Sequence, residues 1–238
     1  MAEAALTKAG DVLPGGPRGV ITDFSSDKQA FHVPWGKAMM WIFLLSDTFI
    51  FSCFLVSYMT VRMSAAEPWP YPSEVFALSF GGAPIPLVLI AIMTFVLITS
   101  SGTMAMAVNM GYRKDRNKTF WLMVATAALG ATFVGMQAFE WTKLIVEEGV
   151  RPWSNPFGAA QFGSAFFMIT GFHGTHVTFG VIFLLAVARK VWRGDYDHAR
   201  PGFFTSRKSH YEAVEIMGLY WHFVDLVWVF IFALFYLW

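Results

Sequence analysis

The chain has 238 residues, 56% hydrophobic, 18% aromatic and only 14% charged, with a net charge of +1, a balance that excludes a soluble domain of this size and points to a membrane protein. There is no basic field to attract nucleic acid, so that class of partner is excluded too. Cys53, the only cysteine, rules out disulfides within the chain, thiolate zinc clusters and iron–sulfur ligation, and inside its apolar run it reads as a small packing residue.

Residues 1–36 are polar, with Gly, Pro and Asp scattered through "AGDVLPGGPRGVITDFSSDKQ". They lack the apolar core and cleavage site of a secretory signal and read as a flexible arm ahead of a transmembrane domain over 37–238. A helix that crosses a bilayer needs roughly 20 apolar residues, because in hydrocarbon every backbone amide must be satisfied within the helix. Five stretches qualify, at about 38–61, 85–109, 119–141, 162–188 and 213–237, so the expected fold is an all-α bundle of five transmembrane helices. Pro84 and Pro86 are expected to open the second span.

Lysine and arginine favour the cytoplasmic side. Lys8, Arg18, Lys28 and Lys37 precede the first span; Arg113, Lys114, Arg116 and Lys118 lie between the second and third. Arg189, Lys190, Arg193, Arg200, Arg207 and Lys208 lie between the fourth and fifth, while the opposite side holds only Arg62, Lys143 and Arg151. This alternation predicts a cytoplasmic N-terminus and a C-terminus outside. Trp41, Trp69, Tyr71, Trp141, Trp153, Trp192, Tyr211 and Trp238 fall near span ends, where amphipathic rings sit at headgroup level. No internal repeat is evident, so the inverted halves of many transporters are not expected.

An acid or base at mid-bilayer costs roughly 2.5–3.5 kcal/mol, so each needs a partner or a purpose. Asp47 lies near the middle of the first span, His173 and His176 of the fourth, His222 and Asp225 of the fifth; Glu215 enters the fifth about two turns earlier. Residues three apart share a helix face. The similar depths predict one buried polar layer shared by the first, fourth and fifth spans. Three readings of this layer stay open: interhelical hydrogen bonding, a proton-related role, and a haem or metal site built from His173, His176 and His222 with Asp225. Two histidines at this spacing do not complete such a site, and His32, His198 and His210 fall in the arm and loops. Glu140 reads as an interfacial carboxylate ending the third span. Gly130, Gly135, Gly171, Gly174 and Gly180 read as points of close helix approach. No phosphate-binding loop, nucleophile elbow or HExxH motif occurs.

"GFHGTHVTFGVIFLL" and "HYEAVEIMGLYWHFVDLVWVFIFALFYLW" resemble the last two helices of subunit III of the haem-copper terminal oxidases, the cytochrome c oxidase type. Glu215, Tyr220, Trp221, His222, Phe223, Asp225 and Trp228 match the family pattern. "LGATFVGMQAFEW", with Gln137 and Glu140, resembles the preceding helix, and "LLSDTFIFSCFLVSYM", with Asp47, the helix that carries a buried carboxylate. The resemblance runs from Trp41 to Trp238.

It implies a non-catalytic accessory subunit of a bacterial inner-membrane oxidase that reduces oxygen to water and pumps protons. Haem and copper would belong to partner subunits, with none in this chain. Catalytic subunit I and other oxidase subunits would be its neighbours, within a larger respiratory supercomplex in some settings. The family is associated with tightly bound phospholipid, proton uptake at the cytoplasmic face and protection of the catalytic subunit during turnover. Arg113, Arg116, Arg189, Lys190 and Arg193 are candidate headgroup contacts, with a topology signal as the alternative.

Longer family members have seven helices, the first two walling a lipid-filled cleft, whereas this chain is expected to have five, as quinol oxidase members do. Asp47 stands where many cytochrome c oxidase members carry Glu and quinol oxidase members carry Asp; Glu215 with His210 points back toward the cytochrome c oxidases. A quinol oxidase subunit, a homologue associated with nitric oxide reductase and a haem- or metal-binding membrane enzyme are the alternatives.

Overall fold

A computed structural model describes residues 35–80, 83–197 and 211–237. Residues 1–34 of the expected N-terminal arm, His32 among them, and His198, His210 and Trp238 lie outside these, while Trp35 and Gly36, expected in the arm, open the first helix. The chain divides into a unit ending at Met39, of which only the opening of the first helix is described, and a unit over Met40–Trp238.

Five long helices among the described residues are long and apolar enough to cross a membrane: α1 (Trp35–Ser64), α2 (Val88–Tyr112), α3 (Arg116–Val146), α4 (Gln161–Arg193) and α5 (Glu212–Phe232). α5 is extended by a π-helical turn, Ala233–Leu237. Most run past the apolar stretches the sequence marks. The 31 residues of α3 rise about 46 Å at ~1.5 Å each, against a hydrocarbon core of about 30 Å, so both polar ends lie beyond it. Asp115 caps its start, accepting from the Lys118 N–H at 3.2 Å. That bond and the Lys118 ammonium at 3.0 Å hold the Asp115 carboxyl below its usual range. α4 ends at Gly194, whose φ of 74° lets the Asp195 N–H turn back to the Lys190 carbonyl.

One boundary differs in kind. Pro84 and Pro86 do not open a helix; they lie in a strand, Ala83–Pro86, paired antiparallel with Ala77–Phe80, Ser79 opposite Pro84. Ala83 and Ile85 each precede a proline, which clashes with the α conformation of the residue before it. The short ribbon has free edges that tolerate missing N–H groups, and α2 starts only at Val88, after Leu87 at φ 62°. A single helical turn, Pro72–Val75, precedes the ribbon.

α2 packs on α3 and α5, and α4 packs on the same two, which closes a ring of four helices. Trp221, Trp228, Phe133 and Phe166 fill its middle, fully buried. Trp221 occupies a slot between Gly130 and Gly180, both too close to its ring to carry a side chain, and donates from Nε1 to Ser100 Oγ at 2.9 Å. Gly171 gives the same room to Trp141, whereas Gly135 and Gly174 have nothing within 4 Å of a Cβ position; the close approach expected at those two is not made among the described residues.

α1 stands outside the ring and meets it chiefly through rings: Phe51 and Phe54 on Phe172, Tyr58 on Phe235 at 4.0 Å, Phe43 on Tyr220. Trp41, Ile42, Leu45 and Phe49 remain exposed on it. So does Cys53, which corrects its reading as a packing residue: on so lightly covered a helix, an apolar position need not face the protein.

Candidate functional site

Asp47 on α1 and His176 on α4 face each other in the space where α1 meets the ring, His176 Nε2 lying 3.4 Å from Asp47 Oδ1. Asp47 is buried. The other imidazole nitrogen, Nδ1, lies 2.9 Å from the Phe172 carbonyl. A carbonyl only accepts, so Nδ1 carries a proton and donates it. Nε2 then either accepts from a protonated Asp47 or, protonated, donates to an ionised one. A proton at that contact would leave the pair neutral overall and avoid a bare charge in hydrocarbon. The Tyr220 hydroxyl donates to the His176 carbonyl at 2.9 Å and ties α5 to the same turn of α4. Beside them an apolar groove of about 510 Å³ opens between α1, α4 and α5, lined by His176, Phe43, Phe183, Met217 and Tyr220 among others.

His222 and Asp225 do not join this pair. His222 Nδ1 makes a 2.6 Å hydrogen bond with Ser101 Oγ on α2, and Ser101 is also the polar neighbour of Asp225. Both Asp225 carboxylate oxygens are buried without a hydrogen-bond partner among the described residues. His173 is likewise buried with both nitrogens unpaired, stacked on Trp228 at 5.4 Å and edge-on to Phe133. The single layer expected across the first, fourth and fifth spans is therefore two separate sites with a ring-packed histidine apart from both. The cause is rotation: a face shared at three-residue spacing is shared only approximately, at about 100° per residue, so His173 turns into the ring while His176 turns toward α1. Among the described residues no three of His, Cys, Asp and Glu converge as metal ligands. A metal site built from His173, His176, His222 and Asp225 is not assembled among them.

Glu140 departs further from its reading as an interfacial carboxylate. It is buried, accepting from Gln137 Nε2 at 2.8 Å and from the Tyr236 hydroxyl at 3.1 and 3.3 Å. Two features make it so: α3 continues to Val146, and the π turn brings Tyr236 inward. Trp228, matched to the family pattern, donates from Nε1 to Thr94 on α2 at 3.0 Å. Glu215 is half-buried and interacts with Tyr112.

Of the candidate headgroup contacts, Arg116 bonds the Trp192 carbonyl and pairs with Asp197 at 3.8 Å, closing the α2–α3 turn onto the end of α4. Tyr211 donates to the same aspartate at 3.1 Å. Arg113, Arg189, Lys190 and Arg193 lie exposed. Sequence reasoning missed Ser101, Tyr236 and the Thr103–Thr126 hydroxyl pair at 2.8 Å joining α2 to α3. The polar run "TSSGT" in mid-span was the available signal.

Comparison with known proteins adds two findings. The family described as cytochrome c oxidase subunit III matches residues 29–238. Proteins named probable quinol oxidase subunit 3 from Staphylococcus epidermidis and Staphylococcus aureus are 30% and 32% identical over 212 residues, covering 89% of this chain and 92% of theirs.

Proposed function

Because this chain belongs to the cytochrome c oxidase subunit III family, a multi-pass protein of the bacterial plasma membrane and part of an oxidoreductase complex, we propose that it is an accessory subunit without a redox centre of its own. Haem and copper would sit in the catalytic subunit, where oxygen is reduced to water and protons are pumped. The work of this chain is to brace that subunit with its apolar flanks, to hold phospholipid against the groove between α1, α4 and α5, and to sustain proton uptake. The Lys and Arg distribution supports a cytoplasmic N-terminus and a periplasmic C-terminus. The exposed Arg113, Arg189, Lys190 and Arg193 would then meet cytoplasmic-leaflet headgroups.

The observation that carries this reading is the Asp47–His176 pair, a buried carboxyl 3.4 Å from an imidazole at the edge of an apolar groove. Asp47→Ala leaves His176 without its acidic partner. In the assembled oxidase, initial oxygen reduction is expected to stay within about twofold of wild type (~0.4 kcal/mol), while proton uptake or the number of turnovers before inactivation falls. Complete loss of initial activity in a normally assembled, haem-replete complex would refute an accessory role for the pair.

A second reading concerns the electron donor. The relatives named probable quinol oxidase subunit 3 favour quinol, and Asp47 agrees with them. The purified complex should then oxidise a quinol directly; oxidation of reduced cytochrome c alone would reverse the assignment.

A further inference from the structure

We propose that Asp225 is a proton-binding site of this chain, separate from the Asp47–His176 pair: a neutral carboxyl, sealed between α2 and α5, that exchanges its proton through Ser101 with His222. The site is built from this chain's residues alone, so it stands or falls apart from the accessory-subunit reading.

The face on which Asp225 lies is fixed by its neighbours on α5. Trp221 donates to Ser100 at 2.9 Å and Trp228 to Thr94 at 3.0 Å, while His222 meets Ser101 at 2.6 Å, all on α2. Asp225 falls three or four residues from each of these and shares their face. Only 7% of it is exposed, and both carboxylate oxygens are enclosed without a hydrogen-bond partner among the described residues. No side chain of another subunit reaches atoms so enclosed. A proton does, because it is handed on from one hydrogen-bonded atom to the next.

The donors on this face are spent. Ser100 accepts from Trp221 and gives its own proton to the Leu97 carbonyl at 2.7 Å; Thr94 accepts from Trp228 and gives its own to the Ile90 carbonyl at 2.9 Å. α2 carries no acid or base from Val88 to Asn109. Of the ionisable groups on the other helices, His173 of α4 is stacked on Trp228, Asp47 of α1 faces His176, and Glu140 of α3 is bonded to Tyr236. An ionised Asp225 would be a bare charge in mid-span that neither a donor nor a cation offsets. The protonated form leaves only a neutral carboxyl to accommodate.

Ser101, the polar neighbour of Asp225, is the way in. Thr99 and Thr103 return their hydroxyl protons to their own helix at 2.8 Å, whereas Ser101 turns its oxygen to His222 Nδ1. A hydroxyl accepts as well as donates. When the Asp225 carboxyl turns onto Ser101, its proton passes to Oγ as the Ser101 proton passes to Nδ1, and the Nε2 proton leaves the half-buried imidazole. One proton has then left, Asp225 is a carboxylate facing the Ser101 hydroxyl, and His222 is neutral in its other tautomer. The reverse sequence reloads the site.

Infrared spectroscopy of the full chain in the complex with which it purifies tests this. The wild-type minus Asp225→Asn difference at neutral pH should contain the C=O stretch of one neutral carboxylic acid, which shifts on transfer to heavy water. Asp47→Ala should retain that band, which separates the site from the Asp47–His176 pair. Exchange of the band should slow about tenfold or more in Ser101→Ala and in His222→Phe, since local opening of the helices must then carry it. A carboxylate signature in place of the acid band, its loss in Asp47→Ala, or exchange as fast as wild type in either relay variant overturns the proposal. Asn resembles the neutral acid in shape, so Asp225→Asn is expected to assemble. If it does not, isotope-labelled aspartate in the Asp47→Ala background gives the same reading: a labelled acid band slowed by Ser101→Ala and His222→Phe supports the site, and its absence or unchanged exchange refutes it.

Discussion

Gly130→Ala tests the packing logic of the ring. A methyl group at 130 would lie 2.4 Å from Trp221 Cη2, 2.8 Å from Cζ2 and 2.9 Å from Val181 Cγ2, where carbons rest at about 3.5–4.0 Å. The indole would have to withdraw by about 1 Å. It has nowhere to go: Gly180 abuts its other edge, and its Nε1 is held by Ser100 on α2. Overpacking of this kind costs about 1–3 kcal/mol and the strained hydrogen bond about 0.5–1.5, against a helix-propensity gain of about 1 for alanine over glycine. The balance is a loss of about 2 kcal/mol, read as a shift in the SDS-induced unfolding midpoint of the purified protein in mixed micelles. Gly135→Ala and Gly102→Ala, where a Cβ meets nothing within 4 Å, should match or exceed wild type. Trp221→Phe added to Gly130→Ala should recover part of the loss. A Gly130→Ala protein as stable as the Gly135→Ala control would refute the slot.

Two further outcomes follow from the polar contacts. Tyr236→Phe deletes the hydroxyl that reaches both oxygens of Glu140 and should cost about 0.5–1.5 kcal/mol in the same assay, the range for a typical intramolecular hydrogen bond; an unchanged midpoint would mean Glu140 does not depend on the π turn. At the α4–α5 connection, burial and then the Asp197 carboxylate push the Tyr211 hydroxyl up to about 12 from 10.0, with Arg116 pulling the other way. The folded chain therefore keeps a proton that the unfolded chain has lost between those two values, so this contribution to stability is whole below pH 10 and declines above it. The phenolate absorbance difference between wild type and Tyr211→Phe should have its midpoint near 12; a midpoint near the ordinary tyrosine value would refute the Asp197 contact.

The five spans were legible because hydrocarbon imposes one requirement on every residue of a span, and composition alone meets it or fails. What could not be read was rotation. The sequence places His173 and His176 on a common face, but a difference of three residues leaves a residual angle, and only the packing of α1 against α4 decides which of the two meets Asp47. The partner of His222 was hidden for a related reason: serine is common in membrane helices, so Ser101 carries no mark of its own until α2 is known to lie beside α5. Glu140 was misjudged because a carboxylate near a predicted span end implies headgroup water only if the helix stops there, and α3 does not. The prolines at 84 and 86 were misjudged because one proline favours a helix start while two, spaced by one residue, force the residues before them out of it.

Three of the polar contacts join three different pairs of helices. Asp47 with His176 joins α1 to α4, Ser101 with His222 joins α2 to α5, and Glu140 with Tyr236 joins α3 to the end of α5. Apolar packing between membrane helices tolerates sliding, since lipid tails replace lost contacts at little cost. A hydrogen bond does not: a slip of one turn, about 5.4 Å, parts donor from acceptor in a medium that offers neither a substitute. With the Tyr220 hydroxyl on the His176 carbonyl tying α5 to α4, these four bonds on four interfaces fix the relative heights of all five helices. For α1, which stands outside the ring and presents much of its surface outward, the carboxylate–imidazole pair is a register bond that ring contacts with Phe172 and Phe235 can reinforce but not replace.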